Sequence, residues 1–244
     1  MSTQQAQKPA QPRFKVVGHR GARGLAPENT LAAIRKGLEH HVDEIEIDVR
    51  VTKDNVVILH HDRDLIDQAH NSLDVHTHTY AELKQHKPDL TTLAEAIKAI
   101  NRMVPLQIEV KQAELVQPIV EVVRGYLNEG WQPTDFLFGS KSQKTLRELN
   151  RDIPAIPTVV IEAYSGIIAS WRARQLGTRR ISMNKRGFWS GFVRMISRNN
   201  QLYAYTLDDT HQAQQWVKLG MSGVITDRPD LYDSHNASHN KRSS

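Results

Sequence analysis

The chain has 244 residues, of which 39% are hydrophobic and 24% charged. That is enough apolar side chain for one large core, close to the ~250 residues of a single (β/α)8 barrel, and it excludes a globally disordered chain. There is no cysteine, which excludes disulfides, thiolate zinc sites and cysteine nucleophiles, and no run of about 18 uncharged apolar residues, which excludes an ordinary spanning helix.

The formal net charge is +5. Segments 1–13 and 234–244 hold Lys8, Arg13, Lys241 and Arg242 and no acid. Residues 163–207 hold Arg172, Arg174, Arg179, Arg180, Lys185, Arg186, Arg194 and Arg198, again without an Asp or Glu, so the rest of the chain is acidic. No recognised nucleic-acid module accompanies this charge, which argues against a nucleic-acid partner.

In chain order, residues 1–13 are Gln/Pro-rich and lack an apolar h-region; they read as a flexible tail without a secretory signal, hence a cytoplasmic protein. Short Val/Ile-rich runs then alternate with segments of helical period: FKVVG (14–18), EIEIDVR (44–50), LQIEV (106–110), FLFG (136–139), AIPTVVI (155–161), RISM (180–183), LYAYT (202–206) and GVIT (223–226). Helices are expected at 29–40, 92–102, 114–129, 142–149, 164–175, 188–199 and 210–219, with Gly37, Gly130, Gly177 and Gly220 near their ends. Strands alternating with helices predict an α/β fold, a distorted TIM-type barrel over 14–233. Residues 234–244 read as a second flexible tail.

One run stands outside the alternation. VVILH (56–60) follows the second strand after only TKDN, too short for a helical crossover, so the two should form a hairpin. With Asp54 and Asn55 at its centre, Asp48 would face His61, and His61 would return to the barrel mouth, where barrel enzymes build their sites. The polar stretch 63–90 is long for a loop and reads as a small insertion or lid.

Glu46 and Asp48 alternate onto one face of a strand, and Glu109 can add a third carboxylate. Oxygen donors alone suit a hard divalent cation, Mg²⁺ or Ca²⁺. The alternative is structural ion pairing with Arg20, Arg50 or Lys111. His19 and Arg20 follow the first strand directly, and two histidines at one mouth, His19 and His61, could take and give protons on opposite sides of a reaction. His19 could instead bond a neighbouring backbone carbonyl; His60 should point away. Lys111 shares the face of Glu109 and could meet a phosphate. Asn29 or Thr30 reads as a helix N-cap, and Glu28 is within reach of orienting Arg20.

HRGARGLAPENTLAAI (19–34), EIEIDVRVTKDNVVILHHD (44–62), LQIEVK (106–111) and MSGVITDRPDLY (221–232) together resemble the glycerophosphodiester phosphodiesterase family, from about Val16 to Tyr232. TTLAEAIKAI and FGSKSQKTLRELN agree with it. The resemblance implies metal-dependent hydrolysis of a glycerophosphodiester, such as glycerophosphocholine or glycerophosphoethanolamine, to sn-glycerol 3-phosphate and an alcohol. It implies His19 and His61 as the catalytic pair, Glu46, Asp48 and Glu109 as ligands of Mg²⁺, Ca²⁺ or Mn²⁺, and Arg20 and Lys111 near the substrate phosphate. Two departures bear on the substrate. Asp67 and Gln68 stand where the family often has Arg and Thr, and Tyr205–Thr206 replaces its usual Trp-Thr.

Three alternatives stand beside this reading. The same chemistry could act on lysophospholipids at a membrane, with 188–199 touching an anionic surface through Trp189, Phe192, Val193 and Ile196; the competing reading is an ordinary outer helix. A non-catalytic binder of anionic phosphates would use the basic segment. Sphingomyelinase D and bacterial phosphatidylinositol phospholipase C share the barrel chemistry but not the APENT and TDRP blocks.

Overall fold

The computed structural model describes residues 14–111 and 114–235. Eight parallel strands close into a barrel: β1 (Lys15–Gly18), β2 (Glu44–Val51), β6 (Leu106–Val110), β7 (Phe136–Ser140), β8 (Thr158–Glu162), β9 (Arg180–Asn184), β10 (Gln201–Tyr205) and β11 (Gly223–Thr226), with β1 pairing both β2 and β11. Between them lie β3 (Val57–Leu59), β4 (Asp64–Ile66) and β5 (Ser72–Asp74). The helices are α1 (Leu31–Glu39), α2 (Tyr80–His86), α3 (Leu93–Ile100), α4 (Val116–Asn128), α5 (Gln143–Asp152), α6 (Gly166–Gln175), α7 (Ser190–Ser197) and α8 (Thr210–Val217). The expected barrel is thus present, with all eight expected strands in it. The fifth starts at Thr158 rather than 155 because Pro154 and Pro157 have no N–H to give the ladder.

Strand alternation decides what the barrel holds. On β2, Ile45, Ile47 and Val49 turn outward into the large core beneath the helices, which sends Glu44, Glu46 and Asp48 into the lumen. At the closed end, Glu44 is held by Arg180 (Nη1–Oε1 3.0 Å, Nη2–Oε2 2.5 Å) and Lys15 (2.7 Å), and Arg180 lies over the Tyr203 ring. Above that layer the lumen opens toward the strand C-termini.

Three local expectations change. The hairpin pairs Val49 with Leu59, Arg50 with Ile58 and Val51 with Val57, so Asp48 lies opposite His60, not His61. The cause is a three-residue loop, 53–55, closed by Thr52 N–H to Val56 O (3.0 Å) with Asn55 left-handed (φ 61°), where a two-residue turn was expected. His60 bonds the Asp64 carbonyl (3.1 Å), as a structural histidine should. Second, Gly37 is no cap: it lies inside α1, where a Cβ would fall 2.5 Å from Ile45 Cδ1, and His41 (φ 53°) takes the left-handed turn. Third, Ser234 and His235 continue a helical turn, and the His235 ring stacks on Phe14 at 3.9 Å. The remaining tail residues, 1–13 and 236–244, lie outside the described residues.

The insertion at 63–90 has a two-stranded sheet, β4–β5, and α2, around Leu65, Val75, Leu83 and Leu90 packed on Ile58 of the hairpin. It flanks the hairpin: none of the residues lining the mouth comes from it.

Candidate active site

The first strand ends in a tight corner. Gly21 is left-handed (φ 86°), and a Cβ there would meet the α1 backbone at 2.6 Å. Arg20 is left-handed as well (φ 51°), and its N–H donates to Glu46 Oε2 (2.9 Å) while Gly21 N–H donates to Glu46 O (3.0 Å). This corner sets His19 and Arg20 over the lumen. The next block divides its labour: Thr30 caps α1 by accepting from Ala33 N–H (3.2 Å), and Glu28 accepts from Arg20 Nη1 (2.7 Å). Asn29 does something its spacing did not disclose. Buried and left-handed, it donates from Nδ2 to Asp48 Oδ2 (2.9 Å) and accepts from Asp48 N–H (3.0 Å).

Glu46, Asp48 and Glu109 each offer a carboxylate oxygen, and the three lie within 4.8 Å of one another. Asp48 and Glu109 are adjacent because β2 pairs β6 with these two residues in register. Lys111 Nζ bridges Asp48 and Glu109, the latter at 2.6 Å, and Arg20 Nε lies 3.1 Å from Asp48 Oδ2. The ion-pair reading therefore holds for Asp48 with Arg20 and Lys111, whereas Arg50 pairs with the buried Glu114 (2.7 Å).

Those cations do not neutralise the whole cluster. Burial opposes ionisation of Asp48, but Lys111 and Arg20 hold its carboxyl well below the usual range. Glu46 has no such partner, and burial followed by the Asp48 charge pushes it up to about 7. Its Oε1 is buried without a hydrogen-bond partner among the described residues. A buried carboxylate oxygen left bare beside two further carboxylates is what a divalent cation would satisfy, so these residues fit an oxygen-ligated metal.

Both histidines reach the same cavity, of about 180 Å³, which Arg20, Glu46, Glu109 and Lys111 also line. His19 Nδ1 lies 2.5 Å from Asp227 Oδ1, and Arg23 donates to the other Asp227 oxygen (2.9 Å). Burial pulls the His19 pKa down, yet the Asp227 hydrogen bond and the Glu46 charge outweigh it and leave it raised. His61 goes the other way, lowered chiefly by burial, with only an exposed Asp62 at Nδ1 (2.7 Å). Its carbonyl accepts from Arg50 Nη2 (3.0 Å), which ties the end of the hairpin to Glu114. The one-residue register shift thus leaves His61 at the mouth, just beyond the last paired residue.

Asp227, Asn29 and Ser182 were missed. For Asp227 the sequence carries a signal, the TDRP block after the last strand; Asn29 fits a capping pattern that gives no hint of its bond to Asp48. Ser182 lines the cavity with a buried hydroxyl that has no hydrogen-bond partner among the described residues, and no motif surrounds it. A larger groove of about 850 Å³ between α4 and α5 is lined by Glu114, Glu121, Glu148, Lys144 and Arg151 but by no histidine, and its carboxylates do not converge as Glu46, Asp48 and Glu109 do among the described residues.

Barrel and mouth together define a (β/α)8 enzyme whose centre is an acidic trio flanked by two histidines and two cations. The chain belongs to the glycerophosphoryl diester phosphodiesterase family, whose sequence profile matches residues 19–231. A glycerophosphodiester phosphodiesterase of Bacillus subtilis is 26% identical over 251 residues, covering 90% of this chain and 85% of that protein. One from Caldanaerobacter subterraneus is 23% identical over 234 residues, covering 88% and 94%. Among solved structures, an Oleispira antarctica phosphodiesterase in complex with the product sn-glycerol-3-phosphate has the same fold, with a TM-score of 0.79 and 24% identity, covering 92% and 96% of the two chains. Family membership makes the protein an enzyme, a phosphodiesterase, and removes the reading as a non-catalytic phosphate binder.

Proposed function

We propose that the protein hydrolyses soluble glycerophosphodiesters, such as glycerophosphocholine or glycerophosphoethanolamine, to sn-glycerol 3-phosphate and the alcohol, with a divalent metal held by Glu46, Asp48 and Glu109. The observation that carries this reading is the convergence of His19, His61, Arg20, Lys111 and the acidic trio on one cavity. Arg20 and Lys111 place positive charge where phosphoryl oxygens would lie, stabilising the negative charge that builds there. When bound, Mg²⁺, Ca²⁺ or Mn²⁺ adds Lewis-acid stabilisation of the same oxygens.

His19 and His61 divide the proton work. One imidazole removes the proton from the attacking oxygen, that of water or of the glycerol 2-hydroxyl. The other delivers a proton to the alcohol oxygen as its bond to phosphorus breaks. If the 2-hydroxyl attacks, a cyclic phosphodiester forms first and water opens it with the roles reversed. Tyr205, whose hydroxyl donates to Glu162 O (3.1 Å), and Thr206 border the space for the departing alcohol. A chain without cysteine fits a cytoplasmic setting.

The test is a panel of glycerophosphodiesters assayed for glycerol 3-phosphate release after EDTA treatment and after Mg²⁺, Ca²⁺ or Mn²⁺ is restored. Release that requires the metal, and that His19→Ala and His61→Ala each abolish, is expected. Release from no substrate with any metal would end the reading. The same chemistry on lysophospholipids is a second reading, supported by a cluster of exposed apolar side chains beside the mouth.

A further inference from the structure

Helix α6 is turned inside out for an outer barrel helix. Its buried face is small, made of Gly166, Ala169 and Ala173 with Arg172, and a Cβ at Gly166 would fall 1.8 Å from the Phe192 ring. Its large apolar residues face out instead: Ile167 is 70% exposed, Ile168 52% and Trp171 56%. Outer helices bury their bulk on the sheet, as α7 does with Phe192, Val193 and Ile196. Among the residues named above for lipid contact through 188–199, Phe192, Val193 and Ile196 are buried and Trp189 is exposed, at 67%.

These exposed residues lie on α6 and on the loops that leave the catalytic end of the barrel after β8 and β9. Tyr164, 90% exposed, comes two residues after the C-terminal end of β8. Trp189 follows the C-terminal end of β9 by way of a short turn, Lys185–Gly187. The two loops touch, since a Cβ at Gly187 would lie 3.8 Å from Tyr164 O. Asn184 and Tyr205 line the cavity itself, and Tyr205 bonds Glu162 at the root of the first loop, so the loops that carry this apolar surface adjoin the rim of the active site.

Charge says what covers it. The stretch 163–207 has no acid. Of its cations, Arg172 and Arg180 are buried against Glu162 and Glu44, but Arg186 is exposed and Lys185 half-buried on the turn just before Trp189, and Arg194 is exposed on α7. Stacking two copies of this face would bring like charges together. An anionic lipid surface would accept both features, taking the indoles and isoleucines into its interface and drawing in the cations. We propose that Tyr164, Ile167, Ile168, Trp171 and Trp189 dock the enzyme on an anionic lipid surface, with its mouth at the interface.

The proposal goes beyond the hydrolytic reading and is tested by binding, so either can fail without the other. Cosedimentation with phosphatidylcholine vesicles, with and without phosphatidylglycerol, reads it directly. The wild-type protein should bind the phosphatidylglycerol vesicles and lose about tenfold in affinity between low salt and ~0.15 M salt. Its fluorescence should shift blue and be quenched by brominated lipid, because Trp171 and Trp189 are exposed whereas Trp131 and Trp216 are buried. The double variant Ile167→Asp/Trp171→Ala should bind about tenfold or more weakly, with glycerophosphocholine turnover unchanged. No cosedimentation at low salt, or wild-type binding by the variant, overturns the proposal. Concentration-dependent dimers that the same substitutions abolish would give the face to a second copy and overturn it as well.

Discussion

His19 and Asp227 are 208 positions apart in the chain, and in the fold their side chains meet at 2.5 Å, at the C-terminal ends of neighbouring strands β1 and β11. The contact points Nδ1 of the imidazole at a carboxylate and leaves Nε2 for the cavity. It also sets the charge of the ring, because burial alone would depress the pKa that Asp227 raises.

Asp227→Asn should therefore lower the His19 pKa, with burial no longer opposed by the carboxylate. An NMR titration of the metal-free protein would read the fall directly. Turnover should drop by about 10- to 100-fold as the ring loses its orientation, and the pH profile should shift to lower pH. The matching change at the other histidine, Asp62→Asn, should cost no more than about threefold, since Asp62 is exposed. Equal effects of the two substitutions would show that the Asp227 contact does not position His19.

Asn29 holds Asp48 at both its side chain and its backbone N–H. Asn29→Ala removes this clamp and also places a side chain without asparagine's left-handed tolerance at φ 56°. Metal affinity should fall by about 10- to 100-fold, read by calorimetric titration, with the barrel intact by circular dichroism. Thr30→Ala, one residue on, should instead cost about 1 kcal/mol of stability and leave metal affinity alone, since Thr30 caps the helix.

Glu46 makes the metal-free site unstable at high pH. Its folded-state pKa of about 7 lies above the ordinary 4.5, so the folded protein binds the extra proton. Its contribution is fully present below pH 4.5 and is lost as pH rises through 7. The metal-free Glu46→Gln variant should thus be the more stable protein at pH 8 in urea denaturation. It should also gain less stability than the wild type when metal is added.

The barrel was legible because its signals are local: Val/Ile runs on strands buried on both faces, and helical period between them. Glu46, Asp48 and Glu109 were legible for the same reason, as strand alternation fixes a face before any partner is known. What the sequence hid was register and partnership. The hairpin hung on whether two or three residues turned it, and Asn55 going left-handed decided for three. Asn29 satisfied a capping pattern that its neighbour Thr30 fulfils, so its bond to Asp48 had no separate signature. The inverted α6 was hidden too, because a helix with apolar residues on two sides does not reveal which side the sheet will take.

Glu44 stands two residues before Glu46 on the same face, yet its surroundings give it the opposite role. Burial opposes its ionisation, but Arg180 and Lys15 keep it ionised and hold its pKa below the ordinary 4.5. That contribution is present above pH 4.5 and lost as pH falls through the lowered value. Arg180→Met leaves Glu44 buried with only the half-exposed Lys15, and should cost roughly 3–5 kcal/mol in urea denaturation at pH 7. Removing both charges, in Glu44→Gln/Arg180→Met, should recover most of that loss. In each variant the folded fraction should keep its wild-type KM, because the pair sits at the closed end of the barrel, a layer below the cavity. A raised KM in the double variant would show that the closed-end layer also shapes the mouth.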